Sequence, residues 1–426
     1  MKGCEQMDNF IFGGCDTVEL AKKYGTPLYV VNEDYILDRL NEIKQDFLEK
    51  FENTKAVYAS KAFLTKEMAR IIKKEGLGMD VVSGGELYTA IQVDFPMDKI
   101  IFHGNNKTPA EIEMAVTNEV GRIVVDSSDE LELVNQIAKK HKKKVKILFR
   151  ITPGVEAHTH KFIQTGQVDS KFGIPLMDNI ITNVVKKAIS MEFIDLLGFH
   201  FHIGSQIKSN EGYTSAVKRI LVLINNLNIE LDFETRELNV GGGFGIHYAD
   251  DKGRRPLKFF TDAIISTLES ECRKYNLKRP TVIIEPGRWI AGEAGITLYT
   301  IGTIKEIPGI RTYVSVDGGM TDNARPSLYD AKYEAVVANK YGQELVDQVT
   351  ISGKLCESGD ILIHDLKVPK IEIGDILAVL STGAYNYSMA SHYNRIPKPA
   401  VVMVTKGKDR LIVKRESYED IIRNEL

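Results

Sequence analysis

The sequence predicts an α/β protein in which a closed (β/α)8 barrel of parallel strands is followed by a second, all-β domain. Two observations carry this. Between Lys55 and Gly287 eight short apolar runs alternate with stretches of helical character, which is the count of a closed parallel barrel. After Ile290 the pattern turns to closely spaced β-type runs, with no long amphipathic helix until Tyr418. A chain of 426 residues, 43% of them hydrophobic, is long enough for two such cores.

The eight runs are 55–60, 78–83, 100–104, 122–126, 145–151, 196–202, 237–240 and 281–285. Before the first of them, Leu40, Ile43, Phe47, Leu48 and Phe51 recur at helical spacing and give a helix one apolar face. Thr108, Pro109 and Glu111 form a capping box with a helix-opening proline, and Ser127 with Glu130 repeats the box. The stretch 152–175, with Gly154, His158, His160, Gly166, Lys171 and Gly173, is too long and polar for a simple connection and predicts a loop over the barrel mouth. The later β-type runs are 295–305, 312–317, 333–338, 347–352, 375–380, 400–404 and 410–413. Leu28 to Val31 falls outside the barrel count and is available to complete the β domain. The expected division is therefore 31–290 for the barrel and 1–30 with 291–426 for the β domain.

A formal net charge of −3 argues against a general polyanion binder. The basic run Lys139 to Lys144 reads as a solvated helix end, with cations near the C-terminal dipole, rather than as a nucleic-acid patch. Cys4, Cys15, Cys272 and Cys356 are widely spaced and form no CxxC pair, so neither a zinc site nor a disulfide framework is indicated, and a reducing cytoplasm fits. No metal is expected. Met1 to Phe12 lacks the apolar region of a signal peptide, and no uninterrupted apolar run is long enough for a bilayer.

Four of the runs end in chemistry. The first ends at Lys61, the sixth at His202, Gly204 and Ser205, the seventh at Gly241, Gly242 and Gly243, and the eighth at Glu285, Pro286, Gly287 and Arg288. Taken singly, the lysine is a solvated charge, the glycine run a turn, the histidine a core residue and the last motif a strand exit. Residues at the C-terminal ends of barrel strands converge on one face, however, and phosphate commonly binds after strands seven and eight. There a lysine can form a Schiff base and an imidazole can lie on a pyridine ring. Glycine N–H groups can surround a phosphate, and a carboxylate can hold a pyridinium proton. The four ends together suit one cofactor, pyridoxal 5'-phosphate.

Tyr58-Ala-Ser-Lys61-Ala, His200-Phe-His202-Ile-Gly-Ser205-Gln, Gly241-Gly-Gly-Phe-Gly245, Glu285-Pro-Gly-Arg288 and Cys356-Glu357-Ser-Gly-Asp360 resemble the motif series of the fold-type III pyridoxal phosphate decarboxylases. These enzymes share an alanine racemase-like architecture. Thr152-Pro-Gly-Val-Glu-Ala-His-Thr-His160, Ser170-Lys-Phe-Gly173, Arg325-Pro-Ser-Leu-Tyr329 and Gly383-Ala-Tyr385-Asn-Tyr-Ser-Met389 narrow the resemblance to the diaminopimelate decarboxylase family. The resemblance covers essentially the whole chain. One departure is His392, where that family more often has asparagine.

The resemblance implies a cytoplasmic carboxy-lyase that converts meso-2,6-diaminopimelate to L-lysine and CO2, the last step of lysine biosynthesis. It implies Lys61 as the Schiff-base lysine and His202 stacked on the cofactor ring. Ser205, Gly242, Gly243, Gly287 and Tyr385 would hold the phosphate, and Glu285 would face the ring nitrogen. Arg288, Arg325 and Tyr329 would bind the distal carboxylate of the substrate, with Tyr385 nearby, and Glu357 its distal amino group. Cys356 would be the proton donor. In this family Cys356 and Glu357 reach the site from the partner subunit, which implies an obligate homodimer.

Physical chemistry agrees with these roles. A buried carboxylate at Glu285 favours a protonated ring nitrogen and weakens the racemase alternative, which pairs that nitrogen with arginine. Two arginines suit a second substrate carboxylate, so an ornithine- or arginine-type decarboxylase is the runner-up. A catalytically inactive, protein-binding relative and a cofactor-free barrel aldolase using Lys61 remain as readings from other classes.

Overall fold

The structure is a computed structural model whose described residues are 9–154, 170–249 and 253–426. Most of the expected mouth loop, including His158, His160 and Gly166, lies outside them. The chain divides into two compact units, Leu40–Gly245 with Arg254–Trp289, and Met1–Arg39 with Ile246–Gly253 and Ile290–Leu426.

The first unit is a barrel of eight parallel strands in sequence order: Thr54–Ala59, Gly78–Val81, Ile100–Phe102, Arg122–Val125, Val145–Thr152, Ile194–His200, Glu237–Asn239 and Thr281–Ile284. It closes where Val282 pairs with Thr54. Strands buried on both faces need short apolar runs rather than alternation, which is why these runs were legible. Val57, Ile101, Val124, Leu148, Leu197 and Ile283 pack together as one apolar cluster drawn from six of the strands.

Thr108 and Glu111 form the full reciprocal capping box. Ser127 accepts from the Glu130 N–H as expected, but the Glu130 carboxylate turns instead to Asp126 N at 2.6 Å and to buried Lys107 at 2.9 Å. A buried ammonium is a stronger partner than the N-cap amide, so this box is only half formed. The basic run closes the helix Ser128–His141, where Lys140 and His141 both meet Glu113. The helix Glu33–Ile43 passes into a π-helical turn, Lys44–Leu48, and Leu40, Ile43 and Phe47 are fully buried.

In the second unit the thirteen-residue strand Gly295–Ile307 organises the sheets. Its first half lies between Leu28–Asn32 and Ile376–Val379, and its second half pairs with Arg311–Val316. Ala400–Thr405 then pairs with the other edge of Leu28–Asn32. Three described strands of this unit were not expected from the sequence: the two-residue pair Ile11–Phe12 and Cys15–Asp16, and Ile361–Val368, which pairs antiparallel with Asp347–Ser352. Exposed His364 and Asp365 interrupt its apolar pattern, and Asp365 takes a left-handed φ of 53°.

Candidate active site

Lys61 sits in a single 3-10 turn, Ser60–Ala62, directly after the first barrel strand. Buried Asp80, at the end of the second strand, accepts the Ser60 N–H at 2.9 Å, while Ser60 Oγ donates to Glu86 at 3.0 Å. The turn that aims the lysine is thus pinned by two carboxyl groups. Burial, then repulsion from Glu285, raises the Asp80 carboxyl well above its usual range, and Lys61 only partly offsets this.

Glu285 ends the eighth strand and is 7% exposed. Its Oε1 accepts from Asn239 Nδ2 at 2.6 Å and lies 2.7 Å from His103 Nε2, and its Oε2 lies 3.3 Å from His200 Nε2. Burial alone would raise this carboxyl, but His103 and then His200 outweigh it and hold the group well below the carboxylate range. Burial lowers both histidines, His200 to about 3, so at neutral pH their rings serve as dipoles beside an ionised Glu285. His103, His200 and Glu285 each bring a ligand atom within 4.8 Å of the others, but the short His103–Glu285 hydrogen bond makes this a carboxylate-positioning network.

His202 is also lowered well below its ordinary value, by burial first and then by Lys61 and Arg150. A neutral imidazole is the form that stacks on a pyridine ring without charge repulsion. The glycines after the seventh strand are fixed by their surroundings. A Cβ at Gly241 would lie 2.9 Å from His202 Nδ1, one at Gly242 2.0 Å from Glu285 O, and one at Gly243 2.0 Å from Gly204 O. Gly241 and Gly243 also have left-handed φ values of 69° and 99°.

Among the described residues, the N–H groups of Gly242 and Gly243 donate to no protein acceptor, although Gly242 is buried. Two unspent donors in a cradle without side chains fit a phosphate. Gly287 is equally tight, 2.8 Å from Ala59 Cβ. Arg288, 5% exposed, donates to Ser205 Oγ from Nε at 3.3 Å and from an η nitrogen at 3.1 Å.

The barrel thus brings together Lys61, His202, Ser205, Gly242, Gly243, Glu285, Gly287 and Arg288, and their chemistry fits a pyridoxal group. Sequence reasoning missed the polar residues that support them: Asp80, Glu86, His103, Arg150, His200 and Asn239. The available signal was position, since Asp80, His103, His200 and Asn239 all stand at or just past the end of a barrel strand.

The second unit holds Arg325, Tyr329 and Tyr385 together. The Arg325 guanidinium lies 5.5 Å from the Tyr329 ring centre and 5.6 Å from that of Tyr385. Arg325 is 7% exposed, and among the described residues its Nε has no acceptor. A buried, unspent guanidinium donor fits a carboxylate ligand. Cys356 and Glu357 are exposed, and the Cys356 N–H donates to Asn394 Oδ1 at 2.8 Å. His392, the departure noted above, pairs with Glu416 at 2.5 Å.

The family described as pyridoxal-dependent decarboxylase, pyridoxal binding domain, matches residues 37–292. The diaminopimelate decarboxylase of Bacillus methanolicus is 50% identical over 404 residues, covering 95% of this chain and 94% of the relative. That of Bacillus subtilis (strain 168) is 48% identical over 414 residues, covering 97% and 94%. Among solved structures, a diaminopimelate decarboxylase from m. jannaschii in co-complex with L-lysine superposes with a TM-score of 0.91 at 36% identity, covering 99% of this chain and 98% of that one.

Proposed function

Because this chain belongs to the diaminopimelate decarboxylase family of pyridoxal-dependent decarboxylases, we infer that it carries out that family's reaction, releasing CO2 from meso-2,6-diaminopimelate to leave L-lysine. The observation that carries the chemistry is Glu285, a buried carboxylate held ionised by histidine neighbours at the C-terminal face of the barrel.

Pyridoxal 5'-phosphate, when bound, supplies an electron sink for the pair left behind as the bond to CO2 breaks. The chain supplies the rest. Lys61 is the amine that attaches the cofactor, and ionised Glu285 keeps a proton on the ring nitrogen, without which the sink is shallow. His202, held neutral by burial, would stack on the cofactor ring. The free N–H groups of Gly242 and Gly243, with Ser205, Gly287 and Tyr385, hold the phosphate.

Arg288 and Arg325, with Tyr329 and Tyr385, bind the distal carboxylate of the substrate, and Glu357 binds its distal ammonium. This double demand favours diaminopimelate over ornithine or arginine, which carry no distal carboxylate. The Cys356 thiol returns a proton to the carbon that has lost CO2. The Cys356 and Glu357 roles and a homodimer with shared sites rest on the family resemblance and on the exposure of this pair. No described helix is long and apolar enough to cross a membrane, and a cytoplasmic setting follows from the biosynthetic role.

A product assay on diaminopimelate, ornithine and arginine, run with the visible absorbance of the purified protein, tests the whole assignment. Lysine release from diaminopimelate by a yellow protein is expected. Preferential turnover of ornithine or arginine moves the assignment to the runner-up, and a colourless protein active without cofactor overturns it.

A further inference from the structure

We propose that Asp360 is a positioning residue for the decarboxylation, holding the segment that carries Arg325 and Tyr329 and the segment that carries Cys356 and Glu357 in one fixed register. This rests on the roles assigned above to those four residues, and it adds the device that keeps them in place.

Asp360 is 2% exposed. Its Oδ1 accepts the Met320 N–H at 2.7 Å, and its Oδ2 accepts the Leu355 N–H at 2.9 Å. Each carboxylate oxygen therefore holds a different stretch of backbone. On the first side, Met320 lies in the turn where Asp322 N and Asn323 N return to Gly319 O, two residues before Arg325 opens its short helix. On the second side, Leu355 immediately precedes Cys356.

The main chain of Asp360 joins in, since its carbonyl accepts from Gly353 N at 2.9 Å and its N–H donates to Glu357 O at 3.1 Å. The fit leaves no slack. A Cβ on Gly319 would come within 2.5 Å of this carboxylate, and one on Gly353 within 2.1 Å. Two outer clasps run between the same segments, Lys354 N to Gly318 O at 3.0 Å and Ser327 Oγ to Gly359 O at 2.9 Å.

Only an acceptor-only group satisfies both amides. In Asp360→Asn the shape is kept, but the NH2 must face one of two backbone N–H donors, so one segment is released. Misplacement of a substrate-binding or proton-donating group by an ångström costs far more than the bond itself.

The test uses Asp360→Asn in the cofactor-loaded enzyme and in the same protein without cofactor. Steady-state kinetics on diaminopimelate should show kcat/KM falling roughly tenfold or more, with KM raised and kcat lowered together. The KM effect should shrink in an Arg325→Lys background, because the two changes then act through one group. Without cofactor, iodoacetamide should alkylate Cys356 several-fold faster than in the unaltered protein, read by peptide mass.

Ser327→Ala removes one outer clasp at an exposed residue and should shift the same readouts in the same direction by less. It keeps the question open if Asp360→Asn folds poorly. Unchanged KM, kcat and alkylation in both variants overturn the proposal. So does a loss of activity with unaltered Cys356 alkylation and an undiminished KM effect beside Arg325→Lys. If the unaltered protein does not decarboxylate diaminopimelate, the functional assignment fails separately, and the alkylation readout still decides whether Asp360 fixes the cysteine segment.

Discussion

The Nε2 of His103 lies 2.7 Å from Oε1 of Glu285, and both side chains are 7% exposed. A carboxylate so enclosed stays ionised only through such donors. Glu285→Ala should keep some cofactor yet lose on the order of a hundredfold in kcat, the scale for removing one preorganised electrostatic contact. His103→Leu should act more gently and in a diagnostic way. With one donor gone, burial raises the Glu285 carboxyl, so the acid limb of the kcat profile should move to higher pH. An unchanged kcat with collapsed cofactor affinity would make Glu285 structural.

Arg325→Leu tests substrate choice. Among the described residues its buried guanidinium has an Nε without an acceptor, and the variant would remove the proposed charge-assisted contact to the remote carboxylate. kcat/KM for diaminopimelate should fall, while slow turnover of a diamine-type amino acid is affected much less. Equal losses on both substrates would remove Arg325 from the specificity role.

Whether sites are shared between subunits is read by mixing inactive parents. Lys61→Ala alone should abolish both visible absorbance and turnover, and Cys356→Ala should be inactive if Cys356 is the proton donor proposed above. If the two residues serve one site from opposite subunits, each heterodimer carries one sound site. An equal mixture after subunit exchange should recover roughly a quarter of wild-type activity under twofold symmetry. A mixture as inactive as its parents, with exchange confirmed, would make the cysteine a local residue.

The second unit should carry a pH signature. Burial raises Asp322 to about 7, although Tyr299 Oη and the Gly319 N–H both donate to it. A carboxyl that binds its proton more tightly when folded destabilises the fold as pH rises from the unfolded pKa to the folded one. Stability should therefore fall between roughly pH 4 and pH 7, by about 4 kcal/mol at most from this group, and level off above. Asp322→Asn should flatten that slope in thermal melts. It should not abolish it, because Asp80, Glu86 and Asp360 are raised as well.

The barrel was legible because strands buried on both faces leave short, unmistakable apolar runs, and because each chemical group stands at a strand end. The supporting groups were not. His103 or Asp80 in isolation is one polar residue after an apolar run, and only closure of the barrel puts His103 beside Glu285, 182 residues away in sequence. Gly241, Gly242 and Gly243 were noticed for the right place but for half the reason. Their missing side chains also make room for Glu285, Gly204 and His202, which no local pattern discloses. Ile361–Val368 escaped notice because exposed His364 and Asp365 broke its pattern.

Leu28–Asn32 lies between Gly295–Ile307 and Ala400–Thr405, so its second edge is covered only by a strand made far later in synthesis. At about 5–20 residues per second, the roughly 370 residues separating these partners take roughly 20–75 s to synthesise. One edge of the apolar Leu-Tyr-Val-Val segment can pair once Gly295–Ile307 has been made, just after the last barrel strand, but its other edge stays open until Ala400–Thr405 follows. The nascent chain therefore passes through a stage in which the barrel has all its strands while the Leu28–Asn32 strand still presents one open edge, and that stage is where a chaperone covering the edge would most improve the yield of native protein.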